Sequence, residues 1–262
     1  MAEWLIYLTL GAFAGVLAGM LGVGGGLVIV PVLAWVFLGL DFDAGVIMHL
    51  AVGTSLATIV FTSISSVRAH HRRGAVQWVA VWQLLPGIVF GVFLGALLAE
   101  QLPTPALRTV FGIFELLVAA QMAFSLLPEA HRALPGRVGM GAAGTVIGGV
   151  SAIVGIGGGT LTVPFLLWCG VAMRQAVATS AACGLPIAVA GAVAFVWTGS
   201  GNTALPPQAV GYVYLPALLG VAVSSILFAP AGAWLAHSLP ITVLKRFFAV
   251  FLALLGGKML LG

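Results

Sequence analysis

Long apolar runs, broken by short polar punctuation, organise the chain from end to end. The first covers residues 4–20, with Gly11, Gly15 and Gly19 four apart, a small-residue face suited to close helix packing. A glycine cluster follows, Gly22-Val-Gly-Gly-Gly-Leu-Val-Ile-Val-Pro31, and leads into a short apolar helix over about 27–38. Further runs cover 46–67, 75–99 (with Pro86-Gly87 as a kink) and 107–127. A helix crosses a bilayer in about 20 residues, so each of these three is long enough to span. The two arms around the glycines hold more than one crossing needs, and should fold back as a re-entrant hairpin or as two tilted spans. Asp41-Phe-Asp43, Arg68-Ala-His-His-Arg-Arg73 and Pro103-Thr-Pro105 read as the connecting loops.

The second half repeats the first. Gly155-Ile-Gly-Gly-Gly-Thr-Leu-Thr-Val-Pro164 returns the glycine cluster 133 positions after Gly22. Ala176-Val-Ala-Thr-Ser180 matches Ala51-Val-Gly-Thr-Ser55, and Leu215-Pro216 matches Leu85-Pro86. The stretch Leu239-Pro-Ile-Thr-Val-Leu-Lys245 matches Leu102-Pro-Thr-Pro-Ala-Leu-Arg108. Four landmarks in one order indicate an internal duplication. The polar, turn-rich stretch Pro128-Glu-Ala-His-Arg-Ala-Leu-Pro-Gly136 divides it, giving a first repeat at 1–127, a linker at 128–136 and a second repeat at 137–262.

Composition settles the class. The 262 residues are 61% hydrophobic and 6% charged, against about 25% charged in soluble domains, and mean hydropathy is +1.20. The fold class expected is an all-α polytopic membrane protein, since unbroken apolar runs of this length suit helices rather than barrel strands. The net charge of +4 sits in short loops and is no nucleic-acid signature. Cys169 and Cys183 lack metal-ligand or redox spacing and read as small packing residues. No Lys or Arg precedes the first apolar run, which argues against a cleaved leader.

Loop charge also orients the chain. Arg68, Arg72 and Arg73, then Arg132 and Arg137, then Arg174, then Lys245 and Arg246 mark cytoplasmic loops, the linker among them. Asp41, Asp43 and the uncharged 199–208 loop then fall outside. The run opening at Val46 crosses out-to-in and its counterpart opening near Gln175 crosses in-to-out. The expectation is two inverted-topology repeats, each a glycine-broken segment plus three transmembrane helices, with both termini outside.

The paired glycine segments and the Ala-Val-x-Thr-Ser helix openings resemble the sulfite exporter TauE/SafE family, over essentially the whole chain. The resemblance implies a multi-pass cell-membrane transporter of small sulfur-containing anions, such as sulfite, sulfoacetate or related organosulfonates. It leaves open the exact substrate, the direction of transport and any coupling ion. The lipid bilayer is the expected partner and a homodimer is compatible with the sequence. No cofactor, metal or nucleic acid is called for.

The candidate residues follow from helix electrostatics. A helix N-terminus carries roughly half a positive charge and unpaired donors, and so attracts anions. Two such ends near the bilayer midplane are a recurring transporter site, which singles out Gly24, Gly25, Gly26, Gly157, Gly158 and Gly159; the plainer alternative is tight packing. Sulfonate and sulfite oxygens accept hydrogen bonds, so the matched hydroxyls Thr54, Ser55, Thr179 and Ser180 are candidate donors. They could equally bond their own preceding carbonyls. Thr160 and Thr162 stand where the first copy has Leu27 and Ile29, so one copy could supply more polar contacts. His49 and Arg174 occupy equivalent positions and read as interfacial anchors or as cations that draw in the anion. Glu115 is a carboxylate inside a span, open to a proton-coupling role or to a structural hydrogen bond with Gln121 or Gln83. Lys258 reads as snorkelling to the surface.

These residues suit alternating access, the two halves rocking about a midplane site. Inside-negative potential would expel an anion with about 2.3 kcal/mol per charge per 100 mV. The rival is an anion channel with the glycine loops as a filter. An enzyme is not expected, because the spans hold no nucleophile–base pair, paired carboxylates or metal cluster.

Overall fold

The computed structural model describes residues 2–21, 25–124, 133–238 and 241–261. The described residues form ten helices: α1 Ala2–Leu21, α2 Gly26–Gly39, α3 Ile47–Arg72, α4 Trp78–Gln101, α5 Thr104–Ala123, α6 Arg137–Val154, α7 Gly159–Trp168, α8 Met173–Thr198, α9 Leu215–Ser238 and α10 Ile241–Leu261. Among them α3, α4, α5, α6 and α8 are each long and apolar enough to cross a membrane. The protein is thus an all-α polytopic membrane protein. The 14 residues of α2 and the 10 of α7 make about 21 and 15 Å of helix, too short for a core about 30 Å thick. Each glycine cluster therefore opens a half-length helix. Most of the 128–136 linker, and Gly24, lie outside the described residues.

The stretch Arg68–Arg72, expected as loop, is instead the last turn of α3. That helix has 26 residues, about 39 Å, so it outruns the apolar core and carries its basic end into water without unwinding. The 199–208 loop continues into a two-residue hairpin that the sequence pattern did not suggest. Strands β1 Ala209–Val210 and β2 Val213–Tyr214 pair antiparallel, Ala209 opposite Tyr214 and Val210 opposite Val213. Gly211 turns it at φ +53°, pressed against Val196 of α8.

The principal packing pairs are α4 with α6, α1 with α9, α5 with α10 and α3 with α8. Exchanging each helix for its counterpart in the other half returns the same four pairs. The centre is α3 against α8, whose most apolar windows are 78% and 67% buried, against 33% for α5. Two glycine seams close the flanks. On α1, a Cβ at Gly15 would stand 2.5 Å from the Ser225 carbonyl oxygen of α9, and the Ser225 hydroxyl donates to the Gly11 carbonyl at 2.8 Å. On α6, at the matching positions, a Cβ at Gly144 or Gly148 would meet the α4 backbone at Leu84 and Ile88. Across that seam Gly87, Gly91 and Gly95 of α4 face Gly141, Thr145 and Gly149. Small residues let the backbones touch, the dispersion-driven contact that lipid-embedded helices rely on.

α3 and α8 run in opposite directions. α3 begins beside Asp43 and the 202–204 loop, where a cavity of about 820 Å³ opens. α8 begins at the other face, where the Gln77 side-chain amide donates to the Gln175 side-chain oxygen at 2.9 Å, just before α4.

Candidate functional site

The two glycine clusters fold into the same turn. Gly25 (φ 76°, ψ −8°) precedes α2 and Gly158 (φ 74°, ψ −4°) precedes α7. Both sit in the left-handed region that costs an L side chain roughly 1–2 kcal/mol. The Gly25 carbonyl accepts from the N–H groups of Val28 and Ile29, and the Gly158 carbonyl from those of Leu161 and Thr162. Among the described residues no side chain caps either helix, so the first N–H groups of α2 and α7 keep their donor capacity. The loops meet: a Cβ on Gly26 would lie 2.5 Å from the Gly155 carbonyl oxygen and 3.1 Å from Ile156 Cα. Gly155, at φ 76°, closes α6 and packs on Val30 and Val52. Ile59 of α3 reaches both Gly26 and Gly157.

Three of the four matched hydroxyls bond protein backbone in the other half. Thr54 accepts the Tyr214 N–H at 2.9 Å, immediately before α9, and Thr179 accepts the Gln77 N–H at 3.0 Å, immediately before α4. The counterparts thus do the same job on counterpart helices. Ser55 donates to the Gly155 carbonyl at 2.9 Å and fixes the second glycine loop. Ser180 is buried without a partner among the described residues; the counterpart of Gly155 is Gly22, which lies outside them.

The second loop gathers further donors. Ser151 and Thr162 are fully buried, and neither hydroxyl has a hydrogen-bond partner among the described residues. Both point at the turn, 3.4 Å and 3.5 Å from where a Cβ on Gly158 would stand. The Thr160 hydroxyl is likewise buried and unpartnered. The first loop has Leu27 and Ile29, both in the core, at the positions of Thr160 and Thr162, and Ala18 in sequence at that of Ser151. Ser151 escaped the sequence reading because it precedes the glycine motif by a full turn; carrying the 133-residue offset back one turn would have exposed the Ala18–Ser151 difference.

The remaining candidates scatter. His49 is buried at the mouth of the 820 Å³ cavity, its Nε2 3.0 Å from the Ala99 carbonyl oxygen and its ring stacked 4.9 Å from Tyr212. The Tyr212 hydroxyl donates to Glu100 at 3.0 Å and accepts from the Asn202 amide at 3.0 Å. Arg174 is exposed at the start of α8, on the opposite face. Glu115 is fully buried on α5, its Cβ 3.3 Å from where a Cβ on Gly256 of α10 would stand. Among the described residues its carboxyl oxygens have no partner, so neither Gln121 nor Gln83 bonds it. Six residues along a helix, Gln121 points to another face. Lys258 is exposed near the end of α10, its ammonium 4.2 Å from the centre of the Trp35 ring. Cys169 and Cys183 are buried, free packing residues.

One profile of known proteins matches residues 7–259, nearly the whole chain: that of the sulfite exporter TauE/SafE family. The chain belongs to the TauE/SafE family. It is 37% identical over 262 residues to a "Probable membrane transporter protein" of Haemophilus influenzae, covering 98% of both chains. A second protein of that description, from Methanocaldococcus jannaschii, is 28% identical over 268 residues and covers 99% of this chain and 97% of its own. MamO of Magnetospirillum gryphiswaldense, also described as a probable membrane transporter, is 28% identical, this chain matching 43% of its length. No solved structure gives a significant match. TauE/SafE membership and these relatives mark a membrane transporter and not an enzyme.

Proposed function

We propose that this TauE/SafE protein exports a small sulfur-containing anion, such as sulfite or an organosulfonate, across the cell membrane by alternating access. The site lies between the two glycine loops, and the halves are inverted repeats that rock about it, with both termini outside. The observation that carries the reading is the pair of uncapped helix starts at Gly25 and Gly158, whose loops touch in the buried centre of α3 and α8. Ser151, Thr160, Thr162, Ser180 and the N–H groups of Gly157 to Gly159 are its donors. Thr54, Ser55 and Thr179 hold the surrounding helices in place. Opposed α3 and α8 fit inversion, and the family description fits a sulfur anion leaving the cell.

The test is thermal unfolding of the detergent-purified protein against sulfite, thiosulfate, sulfoacetate, taurine, sulfate and chloride. A ligand at 100 times its dissociation constant stabilises by about 2.7 kcal/mol. Stabilisation by at least one sulfur anion, followed by saturable counterflow in proteoliposomes, supports the transporter. No shift with any of them sinks the anion site, and unitary currents in place of counterflow make it a channel.

A further inference from the structure

Resting on that transport reading, we infer that the anion is held by the second glycine loop alone, and that this loop selects singly charged oxoanions over doubly charged ones. The first part follows from what the two turns present. Around Gly158 stand two fully buried hydroxyls, Ser151 and Thr162, and the oxygen of Thr160, none of them with a hydrogen-bond partner among the described residues, at a start of α7 that no described side chain caps. A Cβ on Gly25 would meet the Ala14 carbonyl oxygen at 3.3 Å, the Ile29 side chain at 3.5 Å and the Ala14 methyl at 3.6 Å, and Leu27 lies in the core. Both turns offer backbone N–H groups, but among the described residues the atoms nearest Gly158 include hydroxyl oxygens and those nearest Gly25 do not. An anion buried against the first would leave oxygens facing alkyl groups, which is costly.

The second part follows from charge. The described side chains nearest to where Cβ atoms on Gly155, Gly157 and Gly158 would stand are those of Val30, Val52, Ile59, Ile187, Ser151 and Thr162, and Ser55 bonds the Gly155 carbonyl; none of these carries charge. Every Arg and Lys whose side chain is described is exposed or half-buried, so none of these stands ready to neutralise a buried dianion. Attraction to neutral donors grows in proportion to the ion's charge, whereas the cost of removing it from water grows roughly as the square, about fourfold for a second charge. A fixed set of neutral donors therefore holds one charge far better than two. The chemical class is a monoanionic oxygen-rich head: an organosulfonate, or sulfite in its hydrogen-bearing form.

The experiment is thermal unfolding of the purified protein with methanesulfonate, sulfate and sulfite at equal concentrations across pH 6 to 8.5. Methanesulfonate, a monoanion throughout, should stabilise equally at each pH, and sulfate should be at least tenfold weaker. The effect of sulfite should fade with rising pH as it loses its proton. Ser151→Ala and Thr162→Val remove no internal bond, and each should raise the methanesulfonate concentration needed by about tenfold, the scale of one hydrogen bond to an ion. Leu27→Ala should leave it within twofold. Sulfate stabilising as well as methanesulfonate, or the Ser151 and Thr162 variants matching the wild type, overturns the inference while leaving the transport reading intact. If no anion stabilises the wild type, the transport reading falls and takes this inference with it.

Discussion

The loop at Gly25 and the loop at Gly158 share their φ and ψ to within a few degrees and open helices that end in the same way. Their side chains change from apolar to polar at two positions: Leu27 and Ile29 on one side, Thr160 and Thr162 on the other. The two loops keep one backbone geometry and differ in the polar side chains beside it. The same split separates Thr54 and Thr179, which hold counterpart helix starts, from His49 and Arg174, one buried and one exposed at opposite faces. Backbone geometry is a condition on each half alone, so both halves retain it. If the proposed ligand sits in the middle, one polar wall is enough to hold it, which leaves the other as core.

The scaffold side of that comparison should break first and hardest. Gly148→Leu in α6 and Gly15→Leu in α1 both drive a side chain into a facing backbone. Each should cost more than the usual 1–3 kcal/mol of overpacking, or about that at the least. Their melting temperatures in detergent should fall by similar amounts; an unequal pair would mean the seams are not equivalent. Next come the two turns. Gly25→Ala and Gly158→Ala each meet the left-handed penalty of roughly 1–2 kcal/mol. Gly158→Ala should be the worse, because its new methyl strikes the Ile187 side chain, whereas at Gly25 the nearest atom is 3.3 Å away.

Thr54→Val and Thr179→Val sharpen the comparison further. The bond to Tyr214 is buried, so losing its acceptor should cost about 1–3 kcal/mol. Gln77 is partly open to water, which can replace the Thr179 oxygen, and that variant should lose less. The pH-dependent effect belongs to Tyr212. Burial, together with the Glu100 carboxylate and against the Asn202 donor, pushes its phenol above the ordinary value. A group whose acid form is favoured on folding adds stability below the unfolded pKa, about 10. That contribution is lost as pH rises through the folded value. Tyr212→Phe should flatten the alkaline fall in melting temperature and lower it modestly at neutral pH, through the lost bonds to Glu100 and Asn202, each worth about 1 kcal/mol.

Much of this was legible in the sequence. Apolar run length placed the helices, because a bilayer leaves the backbone few other ways to satisfy its polar groups. The glycine motif placed both turns, because left-handed φ admits little else at Gly25 and Gly158. What stayed hidden was relational. That Thr54 and Thr179 serve helix starts in the opposite half depends on contacts across 160 and 102 residues, which no local pattern encodes. The basic end of α3 looked like loop because charge marks an interface, not a helix end. Ser151 gave no local signal at all; only its unpaired hydroxyl beside Gly158 sets it apart.

The crossed threonine bonds also bear on how the chain assembles. As the first half leaves the ribosome, the Gln77 N–H at the start of α4 has only water to bond until Thr179, 102 residues later, has been made and inserted. Thr54, already in the membrane, must wait longer still for Tyr214. Neither half finishes its own helices; each is completed by the other. Two separately expressed halves should therefore be short-lived alone and rescue one another when made together, as interlocking parts of one late-closing structure.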